Sequence, residues 1–161
     1  MKYICSIRII VLVFYSSFFI FHSSFSQVDT TFDNHVFNPK RFKVLENSIT
    51  VTGIVQKLVP APDGDMHVAI KLDSGQGDRV NANNAAIWNG CLVAEIICEH
   101  EAEDKEGVGY ICKGYINKIE VPKIGDHISV TGKFVTDEGK GPFGPYGWNE
   151  IHPVTKIENL K

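Results

Sequence analysis

The chain has 161 residues, of which 16 are Lys or Arg, 19 are Asp or Glu and 43% are hydrophobic. A chain of this length suits a single domain with one core. The acidic balance argues against a surface for nucleic-acid backbones or anionic lipids, because those partners require clustered positive charge.

The first 26 residues predict a secretory signal peptide that is cleaved between Ser26 and Gln27. Lys2 and Arg8 precede an apolar run over residues 9–21, and small residues follow this run. An uncleaved membrane anchor is the alternative, but the apolar run is short for a membrane span. Loss of Lys2 and Arg8 would reduce the 16 basic residues to 14 against 19 acidic ones, a net charge of −5. We therefore expect an exported protein, periplasmic or secreted, with no membrane association after processing.

Three cysteines follow the signal peptide, and exported cysteines meet an oxidising environment in which they pair. Cys98 and Cys112 bracket a polar segment, and we expect them to form a disulfide. Closing a loop of this size stabilises a fold by roughly 3 kcal/mol. A pair involving Cys91, or three free thiols, are the alternatives. The cysteine spacings do not resemble a zinc site, which needs close pairs of Cys or His.

Five segments of the chain predict β-strands, because β-branched and apolar residues alternate with polar ones. An N-terminal arm at residues 27–47 precedes the domain that contains them, at residues 48–161. The predicted strands are Ser48–Val59, Met66–Leu72, Cys91–Cys98, His127–Val135 and Trp148–Ile157. Asp63 and Gly64 form the tip of a turn between the first two strands, which should therefore pair as a hairpin.

The connections between the later strands are longer. Residues 73–89 predict a loop with one helical turn near residues 85–88, and residues 99–123 predict a long, partly helical insertion between strands three and four. Gly53 in the first strand suggests a bulge or bend. Together the pattern favours an all-β fold, a small five-stranded Greek-key barrel of the oligonucleotide/oligosaccharide-binding (OB) type. A β-sandwich is the alternative, although it usually needs about seven strands.

The last strand carries the most concentrated polar chemistry. Side chains alternate along a strand, so Trp148, Glu150 and His152 share one face while Ile151 points to the core. We expect this strand to lie beside the first strand of the barrel, where polar residues of strands two and three could converge with it. The candidate ligand-binding residues are Asp65, His67, Glu95, Trp148, Glu150 and His152.

The same residues also have a purely structural interpretation. Asp63 and Asp65 would form the hairpin turn, while Glu95 would pair with His67 or His152 as a buried ion pair. Isolated polar groups in strands usually have partners, because a bare buried charge is costly. Trp148 would then be a core or barrel-closing aromatic residue.

The strand motifs resemble a group of uncharacterised exported bacterial and archaeal proteins with an OB-like fold. The shared motifs are Asp-Gly-Asp-x-His at residues 63–67, Leu-Val-x-Glu-Ile at residues 92–96 and Gly-Trp-x-Glu-Ile-His-Pro at residues 147–153. The resemblance implies an OB-like barrel and brings no reaction with it. Tyr146 replaces a histidine of the pattern and the loop over residues 138–145 is longer, which argues against a ligand site that used that histidine.

The resemblance also bears on the cysteines. The pattern often has a cysteine at the position of Ser48, and a bond made there cannot form in this chain. This difference would leave Cys91 as the unpaired cysteine.

A binding module without catalysis is the first function that the sequence favours. Trp148 would stack a sugar, a base or another planar ligand, and His67, Glu95, Glu150 and His152 would supply hydrogen bonds. The acidic chain favours a neutral or cationic small molecule, a glycan or a protein partner over nucleic acid.

Two other functions remain open. A divalent-metal-binding protein or metal-assisted hydrolase would use His67 and His152 with Asp65 or Glu150. A structural or interaction domain would have no pocket at all. Nucleophilic catalysis has the least support, because the chain contains no Gly-x-Ser-x-Gly motif and no phosphate-binding glycine loop. No cofactor is predicted apart from the divalent metal of the second function.

Overall fold

The computed structural model describes residues 34–103, 110–141 and 144–161. The predicted signal peptide and its cleavage point lie outside the described residues. The strands are β1 Phe42–Pro60, β2 Met66–Leu72, β3 Leu92–Ile96, β4 His127–Asp137, β5 Lys140–Gly141, β6 Gly144–Pro145 and β7 Asn149–Asn159. The helical elements include α1 Ala82–Trp88 and the 3₁₀ turns Pro39–Arg41 and Gly77–Arg79. In the described ranges, no helix has both the length and the apolar character needed to cross a membrane.

Five strands form one mixed sheet that closes into a ring in the order β1-β2-β3-β7-β4. Its neighbours are antiparallel except for β3 and β7, which run parallel and pair at Val93↔Glu150 and Ala94↔Ile151. The predicted all-β class is confirmed. The predicted place of the last strand, beside the first, is wrong: β7 lies between β3 and β4. The strand β7 pairs antiparallel with β4, and it is β4 that pairs with β1.

The first strand is longer than predicted, because it begins at Phe42 rather than at Ser48. It pairs with β4 through its N-terminal part and with β2 through its C-terminal part, and Gly53 pairs with both. A side chain at Gly53 would collide with the backbone of Lys71 and Leu72, so this glycine marks a close approach of β2. The predicted irregularity follows it, as a register shift between Val55 and Lys57.

The core fills the inside of the ring with alternate apolar residues. From β2, β3 and β7 it contains Val68, Ile70, Leu92, Ala94, Ile96, Ile151 and Val154. Because side chains alternate, the residues between these point to the outer face of the same three strands. His67, Glu95, Glu150 and His152 therefore lie outside the ring.

The helix α1 packs against that outer face. It begins where the Asn81 side chain accepts hydrogen bonds from the backbone N–H groups of Asn83 and Asn84, and it ends at Asn89, whose φ is 53°. Asn84 is fully buried: its Nδ2 donates to the carbonyl oxygens of Cys91 at 3.0 Å and Asn149 at 2.9 Å. The predicted helical turn is thus a two-turn helix joined to both β3 and β7.

The insertion between β3 and β4 is held by the predicted disulfide, Cys98–Cys112, with an S–S distance of 2.07 Å. Cys91 is free and buried. The described parts of this insertion, residues 97–103 and 110–126, contain turns and no helix, so the predicted partly helical character is wrong there. The backbone of His100 bonds instead to Gly64, and that of Glu103 to Pro62, which ties the segment to the β1–β2 turn. Residues 104–109 lie outside the described residues.

Candidate functional site

The six candidate residues of the sequence, Asp65, His67, Glu95, Trp148, Glu150 and His152, lie together on the outer face of β2, β3 and β7. We call them the outer polar cluster. Glu95 is central: its Oε1 lies 3.1 Å from His67 Nε2 and its Oε2 lies 2.7 Å from His152 Nδ1. The cluster therefore joins the second, third and last strands through ion pairs.

The row Trp148, Glu150 and His152 shares one face, as the strand period requires. Trp148 Nε1 donates to Glu150 Oε2 at 2.6 Å, and Glu150 Oε1 lies 3.2 Å from His152 Nδ1. All three residues are buried, with 6%, 0% and 1% of their surface exposed. The row is thus a chain of contacts inside the protein, and it is not an open ligand-facing surface.

Asp65 lies in the β1–β2 turn and also belongs to the outer polar cluster. Its Oδ1 accepts a hydrogen bond from Cys98 N at 2.8 Å, and its backbone N–H donates to Asp63 Oδ1 at 3.4 Å. Although it lies in a turn, Asp65 is buried, with 1% of its surface exposed. Asp65, Glu95 and His152 each offer one potential metal-ligand atom, and these three atoms lie within 4.8 Å of one another.

The central pair of the cluster is charged. Burial opposes the ionisation of Glu95, but His152 and His67 outweigh it and hold the pKa of Glu95 below its usual range. Burial likewise opposes the charge on His152, yet Glu95 and Glu150 raise the pKa of His152 to about 10. At neutral pH the cluster therefore contains a Glu95 carboxylate and a His152 imidazolium.

The other two carboxyl groups are neutral at the same pH. Burial, followed by the charges of Asp63 and Glu95, raises the pKa of Asp65 to about 8. Burial, followed by the charge of Glu95, raises the pKa of Glu150 to about 8. The cluster thus limits its buried negative charge by keeping protons on Asp65 and Glu150.

The sequence did not reveal that the arm and the end of β4 cover this cluster. Arg41 Nε lies 3.3 Å from Asp137 Oδ2, and the Arg41 guanidinium lies 4.5 Å from the centre of the Phe42 ring. The Phe42 ring in turn lies 4.5 Å from that of His152. Burial raises the pKa of Asp137 against the opposing charge of Arg41. If the alternation of side chains in the predicted fourth strand is extended beyond Val135, Asp137 falls on the face of the outer polar cluster.

An open groove of about 260 Å³ lies beside the cluster. It is lined by Phe37, Arg41, Ala61, Pro62, Asp63, His67, Glu95, Asp137, Tyr146 and Trp148. His67 is the most accessible ionisable residue of the cluster, with 20% of its side chain exposed. The groove is therefore where the cluster meets solvent.

Trp148 forms part of the groove wall but has little free ring surface. Its ring packs edge-on against Trp88, with centroids 5.7 Å apart, and lies 4.4 Å from the ring of Tyr146. Trp148 therefore leaves little ring surface for a stacked ligand, whereas the neighbouring Tyr146 is only half-buried.

In the described ranges, two groups of three side chains have potential metal-ligand atoms that all lie within 4.8 Å of one another. One is Asp65 with Cys98 and Cys112, but both sulfurs are committed to the disulfide and cannot act as thiolates. The other is Asp65, Glu95 and His152. The predicted ligands His67 and Glu150 are not part of it: His67 pairs with Glu95, and Glu150 contacts Trp148 and His152.

No family model matches the chain, and a search of curated proteins finds no significant match.

Proposed function

We propose that the protein is an OB-like barrel that binds a ligand in the groove beside the outer polar cluster, and that it is not an enzyme. The position of the groove carries this proposal. OB folds bind their ligands across strands two and three and with the loops that follow strands one and four. Here the groove takes Asp63 from the β1–β2 turn, His67 from β2, Glu95 from β3 and Tyr146 from the segment before β7.

The lining of the groove favours a small neutral or cationic ligand, such as a glycan or an amine. Tyr146 and Phe37 offer aromatic surface, and Asp63, Glu95 and Asp137 contribute carboxylates. Arg41 is paired with Asp137, so it does not turn the groove into an anion site. A nucleic-acid strand would bring its phosphates towards these carboxylates, which is unfavourable.

The burial of the cluster supports binding rather than catalysis. A general acid or base must reach its substrate directly or through one water. Glu150 and His152 are enclosed and contact each other, which leaves His67 and the edge of Glu95 at the groove.

We also propose that the protein is exported. The Cys98–Cys112 disulfide supports this location, because such bonds persist mainly in oxidising compartments. The motifs shared with exported OB-like proteins point the same way.

Binding screens against glycans and small amines, read by thermal shift, test the groove directly. Tyr146→Ala removes the accessible aromatic ring and should abolish binding of any ligand found, with little effect on the unliganded protein. Tyr110→Ala is the matched control, since Tyr110 is 67% exposed and does not line the groove. Ligands that bind Tyr146→Ala as well as the wild type would contradict the proposed site.

A further inference from the structure

We propose that Asp65, Glu95 and His152 bind one divalent transition-metal ion beneath the groove, with Zn²⁺ as the best-matched ion. This site shares Glu95 with the groove, but ion binding can be measured without the groove ligand. The two proposals can therefore fail independently.

The three donors are close together and held by different parts of the ring. Asp65 closes the β1–β2 turn, Glu95 lies in β3 and His152 lies in β7. Their potential ligand atoms lie within 4.8 Å of one another, and each residue is 1% exposed. The hydrogen bond from Cys98 N to Asp65 Oδ1, 2.8 Å long, fixes the carboxylate in place. The donor set is thus positioned by the fold before any ion arrives.

Two polar atoms of this set have no hydrogen-bond partner among the described residues: Asp65 Oδ2 and His152 Nε2. Buried polar atoms are nearly always paired, and one that is left unpaired is costly. Both atoms belong to residues of the same three-membered set. A bound cation would displace the protons that Asp65 and His152 carry at neutral pH, and the resulting carboxylate and neutral imidazole would both contact it.

Neighbouring residues contact the three donors in the way that residues around a metal site contact its ligands. His67 Nε2 lies 3.1 Å from Glu95 Oε1, and the Glu150 carboxylate contacts both His152 and Trp148. Such outer contacts orient metal-binding side chains and tune their basicity. The predicted metal residues His67 and Glu150 would therefore act as supporting residues.

The donor chemistry selects the type of ion. One imidazole nitrogen and two carboxylates suit Zn²⁺ and similar transition metals, whereas Ca²⁺ and Mg²⁺ prefer oxygen ligands alone. Three protein ligands leave a coordination position open, as in zinc sites that take a water or a ligand. Glu95 also lines the groove, which provides a route for the ion.

The test uses the purified full chain, treated with a chelator and titrated with Zn²⁺ by calorimetry. We expect one Zn²⁺ per chain and a Zn²⁺-dependent rise in melting temperature, with no rise from equal Mg²⁺ or Ca²⁺. Asp65→Asn should weaken Zn²⁺ binding at least about tenfold. The amide oxygen of that variant can still accept the hydrogen bond from Cys98, so the fold should be kept.

Asp73→Asn is the matched control. Asp73 forms the same kind of pair, with its Oδ2 2.8 Å from His127 Nε2, on the surface and away from the cluster. The Asp73→Asn variant should bind Zn²⁺ as tightly as the wild type does. Failure of the wild type to bind Zn²⁺, unchanged binding by Asp65→Asn, or loss in Asp73→Asn instead would each overturn the proposal.

A spectroscopic measurement on the wild type covers the case in which Asp65→Asn does not fold. X-ray absorption of the Zn²⁺ complex should show one imidazole with oxygen neighbours. Two or more imidazoles would refute the donor set of Asp65, Glu95 and His152.

Discussion

Glu95 contacts two histidines at once, His67 through Oε1 and His152 through Oε2. Its backbone lies in β3, and 1% of the residue is exposed. Replacement of one partner in a buried ion pair leaves the other charge uncompensated, which is far more costly than loss of a surface pair. The stability of the outer polar cluster should therefore depend on this carboxylate.

Glu95→Gln should lower the free energy of unfolding by about 3–5 kcal/mol, because His152 would keep its charge in a buried site. Urea denaturation in the presence of a chelator measures this loss without a contribution from bound metal. Glu46→Gln is the control: Glu46 pairs with Arg79 at the surface, and its loss should cost less than about 1 kcal/mol. Similar losses in both variants would refute a special role for the buried pair.

The protonation of the cluster predicts how stability varies with pH. The pKa of Asp65 and that of Glu150 are both raised to about 8 from 3.8 and 4.5, so the folded state binds more protons than the unfolded chain between these values. The pKa of His152 is raised from 6.5 to about 10, so the folded state also binds more protons than the unfolded chain at this residue. Stability from these three groups is present at low pH and is lost as pH rises through the folded pKa values.

Glu95 acts in the opposite sense, because its folded pKa lies below 4.5, and its contribution is lost under acid conditions. We therefore expect the free energy of unfolding to peak near pH 4, where the gain from Glu95 and the losses from Asp65 and Glu150 cancel, and to decline towards pH 10. Asp65→Asn cannot ionise and should flatten the decline between about pH 4 and 8. Chemical denaturation across this range measures both curves, and parallel curves would show that Asp65 is ionised in the folded protein.

The helix α1 depends on tertiary hydrogen bonds, because two turns are too short to be stable alone. Asn84 supplies them: its amide donates to Cys91 and Asn149, and its Oδ1 accepts from Asn149 N at 2.9 Å. The same helix places Trp88 against Trp148 and His67. Asn84 therefore determines whether α1 covers the outer polar cluster.

Asn84→Ala should cost at least about 2 kcal/mol of stability, since it leaves buried backbone groups without partners. Tryptophan fluorescence should change as well, because Trp88 and Trp148 would separate. Asn83→Ala is the matched control in the same helix: its side chain is exposed and donates to Tyr146 O at 3.0 Å. If the two variants lost equal stability, the anchoring role of Asn84 would be wrong.

The strands could be predicted because their signal is local. The alternation in β2 and β7 follows directly from the period of a strand, and it correctly placed His67 on one face and Ile151 in the core. The burial of the row Trp148, Glu150 and His152 could not be predicted in the same way. It results from α1 and from Arg41 and Phe42, which are distant in sequence and carry no periodic signal.

The order of the strands in the sheet also could not be predicted from the alternation of residues. Alternation identifies a strand and its faces, but it does not identify the neighbours of that strand. The placement of β7 beside the first strand failed for this reason. In the described parts of the insertion after β3, the charged residues predict a helix, whereas the disulfide and the bonds to Gly64 and Pro62 impose turns.

At the scale of the whole molecule, the ring closes through unequal contacts. The pairing of β4 and β7 extends from Ile128↔Asn159 to Thr136↔Asn149. In contrast, β3 and β7 pair only at Val93↔Glu150 and Ala94↔Ile151. The Glu95–His152 pair crosses this short junction on its outer side. The cluster therefore supplements the backbone bonds that close the ring.

Hydrogen exchange should reveal this junction. In Glu95→Gln, amides of β3 and of the first half of β7 should lose more protection than those of β1 and β4, because local opening occurs where pairing is shortest. Mass spectrometry with peptide resolution measures the difference. A uniform loss of protection across all strands would argue that the ring opens only as a whole.

The buried position of Cys91 has a consequence for oxidative folding. In an unfolded chain that has lost Cys5 with the proposed signal peptide, Cys91, Cys98 and Cys112 can form a single bridge in three ways, and only one is the native Cys98–Cys112 bond. In the folded protein Cys91 lies at the start of β3, and burial raises the pKa of its thiol, which suppresses the reactive thiolate. Collapse of the ring before oxidation therefore withdraws the competing thiol and directs the chain to a single disulfide isomer.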